Sequence, residues 1–253
     1  MTMNKLTAII PTGNEIHNIE DVIASVKFAD EILVVDSFST DGTYEKAQEL
    51  ATNVIRRDYH YSASQKNWAI PQAQHEWILL VDADERVTPE LQKEIQDILE
   101  NPPKDIVAYW IGRQNHFMGE RVNYSGWRND KVIRLFKRDF CKYEDKHVHA
   151  EIIANGSISR LKNKLYHNTY ITLDKYFEKM NRYATWQAKD YDKKTGRLTP
   201  YHFVIKPFWG FFKHYIIQSG FRDGLVGLVI GYIQGYVVFM RYVKLWLLRK
   251  NRP

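Results

Sequence analysis

Cysteine is almost absent. The 253-residue chain has one, Cys141, so no intrachain disulfide can form and a disulfide-stapled secreted scaffold is excluded; a single thiol fits a reducing compartment. A secretory pattern is missing as well. Residues 1–5 run directly into Leu6-Thr7-Ala8-Ile9-Ile10, which is too short for a signal h-region and reads as a buried strand. There is no internal repeat and no low-complexity segment. With 44% hydrophobic and 26% charged residues, the composition excludes wholesale disorder. The first strand is not followed by a glycine- and lysine-rich loop, so the usual phosphate cradle of a nucleotidyltransferase is lacking. Acid is scarce at one end. Residues 201–253 hold eight Lys/Arg against Asp223 alone, a charge of +7, while the other 200 residues sum to −1.

What is present begins as an alternation of strand and helix. Apolar runs at residues 6–10, 31–35, 53–55 and 77–81 predict strands, and the spacing of Ile16, Ile19, Ile23 and Val26 predicts a helix over 16–28. Helices are also expected at 43–51, 64–74 and after Thr88-Pro89-Glu90, where a threonine N-cap precedes proline at the first helical position. Strands that are apolar almost throughout imply a mostly parallel sheet covered on both faces, an α/β architecture. Further strands are expected at 106–111 and 132–136, a turn at 155–157, and a helix over 172–191. The composition sets a basic, aromatic helical tail at 199–253 apart from an α/β domain at 1–198, read as halves 1–100 and 101–198.

Ligands of such sheets bind beyond the carboxyl ends of the strands. Three polar clusters stand there: Pro11-Thr12-Gly13-Asn14-Glu15, then Asp36-Ser37-Phe38-Ser39-Thr40-Asp41-Gly42, and Asp82-Ala83-Asp84-Glu85. Any one of them can be a helix cap or a solvated turn; three at one edge point to a site. The pair Asp82 and Asp84, one residue apart on a strand end, can reach the same side. Their repulsion is relieved by a hard divalent cation, and Mg²⁺ or Mn²⁺ held by few protein ligands fills its shell with phosphate oxygens.

These motifs, together with Gln65-Lys66-Asn67-Trp68-Ala69, resemble in order and spacing the family-2 glycosyltransferases of GT-A fold. The second half resembles the branch that includes lipopolysaccharide-core glucosyltransferases, through Gly126-Trp127, Arg134-Leu135-Phe136-Lys137-Arg138, Val148-His149-Ala150-Glu151 and Leu165-Tyr166-His167. The resemblance implies that Pro11, Thr12, Asn14, Glu15, Asp36 and Ser37 surround the nucleoside of a nucleotide-sugar donor, a UDP-sugar first. It implies that Gln65, Lys66 and Asn67 lie near the ribose and diphosphate, with Ala83 beside them. Asp84 would bind the metal, and Asp82 the ribose or the metal. His167 would join the metal shell or be an ordinary hydrogen-bonded histidine, and His149 can likewise be an ordinary hydrogen-bonded histidine. Arg134 could neutralise the leaving diphosphate or belong to a solvated strand face. Trp127 could stack on an acceptor sugar or belong to the core. An inverting transfer also needs a carboxylate base. Glu151 is the first choice and Asp145 the second, although Ala150 departs from the Val-His-Glu order of the branch.

The implied reaction is hexose transfer to a lipid-linked glycan such as lipopolysaccharide core. A polyprenyl-phosphate acceptor, or sugar-nucleotide binding without catalysis, is the alternative. The tail fits this picture. Thirteen of the 35 aromatic residues lie in 201–253, and residues 224–240 carry no charge but four glycines, with Gly227, Gly231 and Gly235 at every fourth position. That pattern suits amphipathic helices lying in the interface at the cytoplasmic, inner face of a membrane better than it suits nucleic acid. A helical pair covering the core or forming a dimer contact is the other reading.

Overall fold

A computed structural model describes residues 4–146, 150–170 and 172–250. In chain order the elements are β1 (Leu6–Thr12), α1 (Ile16–Ser25), β2 (Glu31–Asp36), α2 (Thr43–Leu50), β3 (Asn53–Arg56), α3 (Ser62–Ala69), β4 (Trp77–Leu80), β5 (Glu85–Arg86) and α4 (Pro89–Glu100). They continue as β6 (Ile106–Phe117), β7 (Glu120–Arg121), β8 (Lys131–Lys137), β9 (Cys141–Tyr143), β10 (Ile152–Ala154), β11 (Ser157–Tyr170), α5 (Leu173–Asp192), α6 (Pro200–Phe203), α7 (Ile205–Phe212) and α8 (Gly224–Arg249). Two compact units result: residues 1–114 with 130–167, and residues 115–129 with 168–253. The boundary drawn from composition at 198/199 falls inside the second unit, where α5 packs along α8.

The main sheet has the order β3-β2-β1-β4-β8-β6-β11-β5, with β7 on β6. The four strands read as apolar runs pair in parallel, in register Thr12↔Asp36 across β1 and β2 and Ala8↔Leu79 across β1 and β4. From β8 onward the assigned pairings are antiparallel, because β6 returns to β8 without the crossover helix that a parallel pairing requires. Alternate residues of the parallel strands face opposite layers. Ala8, Ile10, Val34 and Leu79 pack with α1 and α4, while Ile9, Leu33, Val35 and Leu80 pack with α3. Each such fully buried aliphatic side chain contributes roughly 1.5–3 kcal/mol. Thr88 caps α4 by accepting from the Leu91 amide at 3.2 Å. Cys141 is buried, and burial pushes its thiol up to about 11.

In the second unit, α8 packs through its glycines against α7 and against the chain just before α8. A Cβ on Gly227 would overlap the Gly220 carbonyl, and one on Gly235 would sit 3.0 Å from the Pro207 carbonyl. The glycine repeat is therefore used for close packing within this chain. Asp223, the residue before α8, fastens the 123–125 loop. Its carboxylate accepts from the amides of Asn123 and Tyr124, each at 3.0 Å, and from Ser125 Oγ at 2.8 Å. Ser125 also donates its own amide to the Gln218 carbonyl at 3.2 Å. Charged-group hydrogen bonds of this kind contribute about 1.5–3 kcal/mol each when buried, and this set is partly exposed. Asp223→Ala should therefore cost about 2–4 kcal/mol by urea unfolding; a change under about 0.5 kcal/mol would show that the clasp is idle.

Candidate active site

The polar clusters end neighbouring parallel strands. Thr12 and Asp36 are buried register partners, and the Ser37 amide donates to the Thr12 carbonyl at 2.9 Å. Asp36 accepts from the Ser39 amide and hydroxyl at 3.1 and 2.5 Å and faces Arg56 Nε at 3.4 Å. Its carboxylate thereby shapes the turn after β2. Asn14, in the left-handed region at φ 55°, donates its amide to Ser39 Oγ at 2.8 Å and accepts from the Thr40 amide at 2.9 Å. The Glu15 amide is held by Thr43 Oγ1 at 2.8 Å. Gln65 reaches across from α3 to donate to Ser37 Oγ at 2.8 Å. Thus Pro11, Thr12, Asn14, Glu15, Asp36, Ser37 and Gln65 meet around the ends of β1 and β2. Asn67 does not join them: its side-chain amide brackets the Tyr143 backbone on β9, at 2.9 and 2.7 Å.

The acidic motif after β4 divides into two parts. Asp82 accepts a salt bridge from Lys66 Nζ at 2.8 Å and a second from Arg134. Burial opposes its ionisation, but the charges of Arg134 and Lys66 outweigh that and hold its carboxyl well below the usual range. Arg134, only 3% exposed, also donates to the fully buried Glu85 at 3.0 and 2.9 Å and to the Tyr143 hydroxyl at 3.2 Å. Arg113 continues the chain, 3.4 Å from Glu85 and bidentate on Asp130 at 2.9 and 2.7 Å. Three cations thus meet three carboxylates. The guanidinium of Arg134 is neutralised by the protein, so it positions the acids and is not turned to a solvent-facing strand surface.

Asp84 lies two residues on, with its side chain 31% exposed and Oδ2 3.4 Å from His167 Nε2. The reason is a backbone pairing: β5 aligns antiparallel with β11, setting His167 opposite Glu85. Buried Ala83 supplies the turn, and its carbonyl accepts from Arg86 at 2.7 Å. Among the described residues no group of three or more His, Cys, Asp or Glu is arranged to hold a metal. Two donors, an Asp84 oxygen and a His167 nitrogen, do fit Mg²⁺ or Mn²⁺, which commonly take one or two protein ligands and complete their shell with phosphate and water.

The base candidates lie six residues apart in the chain. Glu151 is exposed, and its backbone is closed against Glu144 by two bonds of 2.9 and 3.2 Å. No hydrogen bond to the Glu151 carboxylate occurs among the described residues. The Asp145 carboxylate accepts from the Tyr61 hydroxyl, at the start of α3. His149 and Val148 lie outside the described residues. Trp127 belongs to the second unit, half-buried, with its ring edge-on to Phe117 at 6.3 Å. Glu85, Arg113, Asp130 and Tyr143 were not singled out from sequence. Nothing in the local pattern distinguishes a buried Glu85 from a third solvated acid after Asp82 and Asp84.

Residues 7–160 match the family model for glycosyl transferase family 2. The chain belongs to that family. This family-2 transferase is 32% identical to an uncharacterised glycosyltransferase of Rickettsia felis, over 96% of its own length and 90% of the relative's. It is 25% identical to the lipopolysaccharide core biosynthesis glycosyltransferase LpsC of Rhizobium meliloti, over 95% and 92% of the two chains. Its fold is similar to that of the mannosyltransferase PcManGT from Pyrobaculum calidifontis, solved with GDP-Man and Mn²⁺, at a TM-score of 0.53 and 15% identity over 97% and 88% of the two chains. The fold of the family-2 transferase is GT-A.

Proposed function

We propose that this family-2 transferase is an inverting, metal-dependent enzyme that moves a hexose from a nucleotide sugar, a UDP-sugar first, to a lipid-linked glycan of the lipopolysaccharide-core type. The observation that carries the reading is Asp84 Oδ2 lying 3.4 Å from His167 Nε2 after β4, the strand that pairs with β1. A bound Mg²⁺ or Mn²⁺ on Asp84 and His167 would supply positive charge for the departing diphosphate. Lys66 and Arg134 hold Asp82 ionised and in place, and in this reading its carboxylate contacts the ribose or the metal. The turns built on Asp36 and Asn14 present backbone and side-chain groups to the base. Glu151 takes the acceptor proton, since its carboxylate has no hydrogen-bonded partner among the described residues, whereas Asp145 is engaged by Tyr61. The likeness to LpsC supports a core-oligosaccharide acceptor.

Membrane attachment is part of the same proposal. Gly220–Arg249 is 30 residues long and apolar enough to cross a bilayer by length and composition, with a third of its most apolar window buried in the protein. Exposed apolar side chains nevertheless occur on α8, with Leu225 at 74%, and on α7, with Phe208 at 64%, and Lys213 and Arg222 are exposed between the two helices. A basic, aromatic helical surface of this kind suits the interface of an anionic leaflet on the cytoplasmic side.

A panel of nucleotide sugars, each incubated with the full chain and Mg²⁺, Mn²⁺ or EDTA and assayed for released nucleotide, tests the donor half. Turnover of one donor that EDTA abolishes is expected. Equal turnover in EDTA would overturn the metal assignment, and no turnover of any donor would favour sugar-nucleotide binding without catalysis.

A further inference from the structure

Within the second unit, α5 and α8 line a half-open cavity of about 330 Å³ that the transfer chemistry does not use. Its walls combine two kinds of side chain. Met240, Val243 and Leu247 make an apolar trough along α8, while Lys189 and Lys244 border it with Thr185. None of the lining residues is acidic. Lys244 Nζ is held by Thr185 Oγ1 at 2.7 Å, which fixes one ammonium and leaves its other protons for an acceptor.

We propose that this cavity binds one anionic phospholipid, with the phosphate between Lys189 and Lys244 and an acyl chain along Met240, Val243 and Leu247. Three features favour this occupant. Two lysines with no carboxylate among the residues that line the cavity select a negative headgroup. An apolar trough adjoining a polar mouth suits an amphiphile, whereas a purely hydrophilic anion would leave the trough wet. The same helix carries Phe239, Trp246 and Leu248 exposed, so a lipid seated here would continue an apolar surface.

The test needs no bilayer, so its outcome is independent of whether the tail docks on membranes. Full-length protein is titrated with dihexanoylphosphatidylglycerol below its micelle concentration, and separately with dihexanoylphosphatidylcholine and inorganic phosphate. Binding is followed by calorimetry and by retained adducts in native mass spectra. Phosphatidylglycerol is expected to bind about tenfold or more tighter than either of the others. Lys189→Ala with Lys244→Ala should remove that preference, and Val243→Trp should block the lipid while both lysines remain. Lys206→Ala serves as a control for general surface charge and should leave the adduct intact. Equal binding of phosphatidylcholine, equal binding of inorganic phosphate, or a preference that survives Val243→Trp would each overturn the proposal. Circular dichroism of the variants accompanies the titrations, and Lys244→Arg, which keeps the charge, should retain at least half of the preference; loss of the preference in a folded Lys244→Arg protein would also overturn the proposal.

Discussion

Asp84→Ala should leave a folded protein whose kcat/KM for sugar transfer falls by about 10³-fold or more, the scale of several kcal/mol that a cation contributes to a transition state building charge on its leaving group. The fold should survive because Asp84 is partly exposed and sits beside the buried charge cluster, in which the pairs run through Asp82, Glu85 and Asp130. Initial rates at saturating Mn²⁺, with a thermal melt on the same sample, make the comparison. Unchanged turnover would remove Asp84 from the site. Lost turnover together with a lost fold would make the residue structural.

The opposite pattern is expected one step away. Arg134→Met should cost about 3–5 kcal/mol of stability, because it takes from buried Glu85 its nearest cation, leaving Arg113 at 3.4 Å, and weakens the hold on Asp82. Adding Glu85→Gln to that variant should recover part of the loss, since the buried charge is then gone. The pH dependence has a definite sign. The folded-state carboxyl of Asp82 is depressed below its ordinary value, by Arg134 and Lys66 working against burial. Its contribution to stability is therefore complete above the unfolded-state pKa of about 3.9 and declines as pH falls toward the folded-state value. Urea midpoints between pH 7 and pH 2 should drop along this acid limb in the parent chain and drop less in Lys66→Met. Identical acid limbs would show that the Lys66–Asp82 pair has no linkage to folding.

Much of the parallel half was legible because its strands are buried on both faces. Residues such as Ile9 and Ile10 face opposite layers, and both layers are apolar, so the run reads as a strand without alternation. The polar clusters at the ends of β1, β2 and β4 were legible for the same reason: an apolar run that stops at an acid marks the sheet edge. The antiparallel half was harder. Whether Val132 to Phe136 pairs parallel or antiparallel depends on what connects it to β6, and no side-chain pattern records that.

The site shows the same division. The Asp82-Ala83-Asp84 segment is local and could be seen. The contact of Asp84 with His167 follows from β5 pairing with β11, a long-range event that residue types alone reach only through a family likeness. Asn67 is another long-range case: its amide brackets the backbone of Tyr143, a pairing that no local motif records. The neutral cluster of Lys66, Arg134, Arg113 and their acids was invisible because each member, taken singly, looks like a surface charge. The tail glycines were legible as a close-packing stripe, and α7 and the chain just before α8 supply the partners.

The most direct test is a crystal structure of the full chain with a non-hydrolysable nucleotide sugar and Mn²⁺, with the metal located by its anomalous signal. The expected map has one Mn²⁺ peak joining Asp84, His167 and the two phosphates, with Asp82 still held by Lys66 and Arg134. A nucleotide bound with no peak at Asp84, or with that carboxylate turned away from the diphosphate, would contradict it.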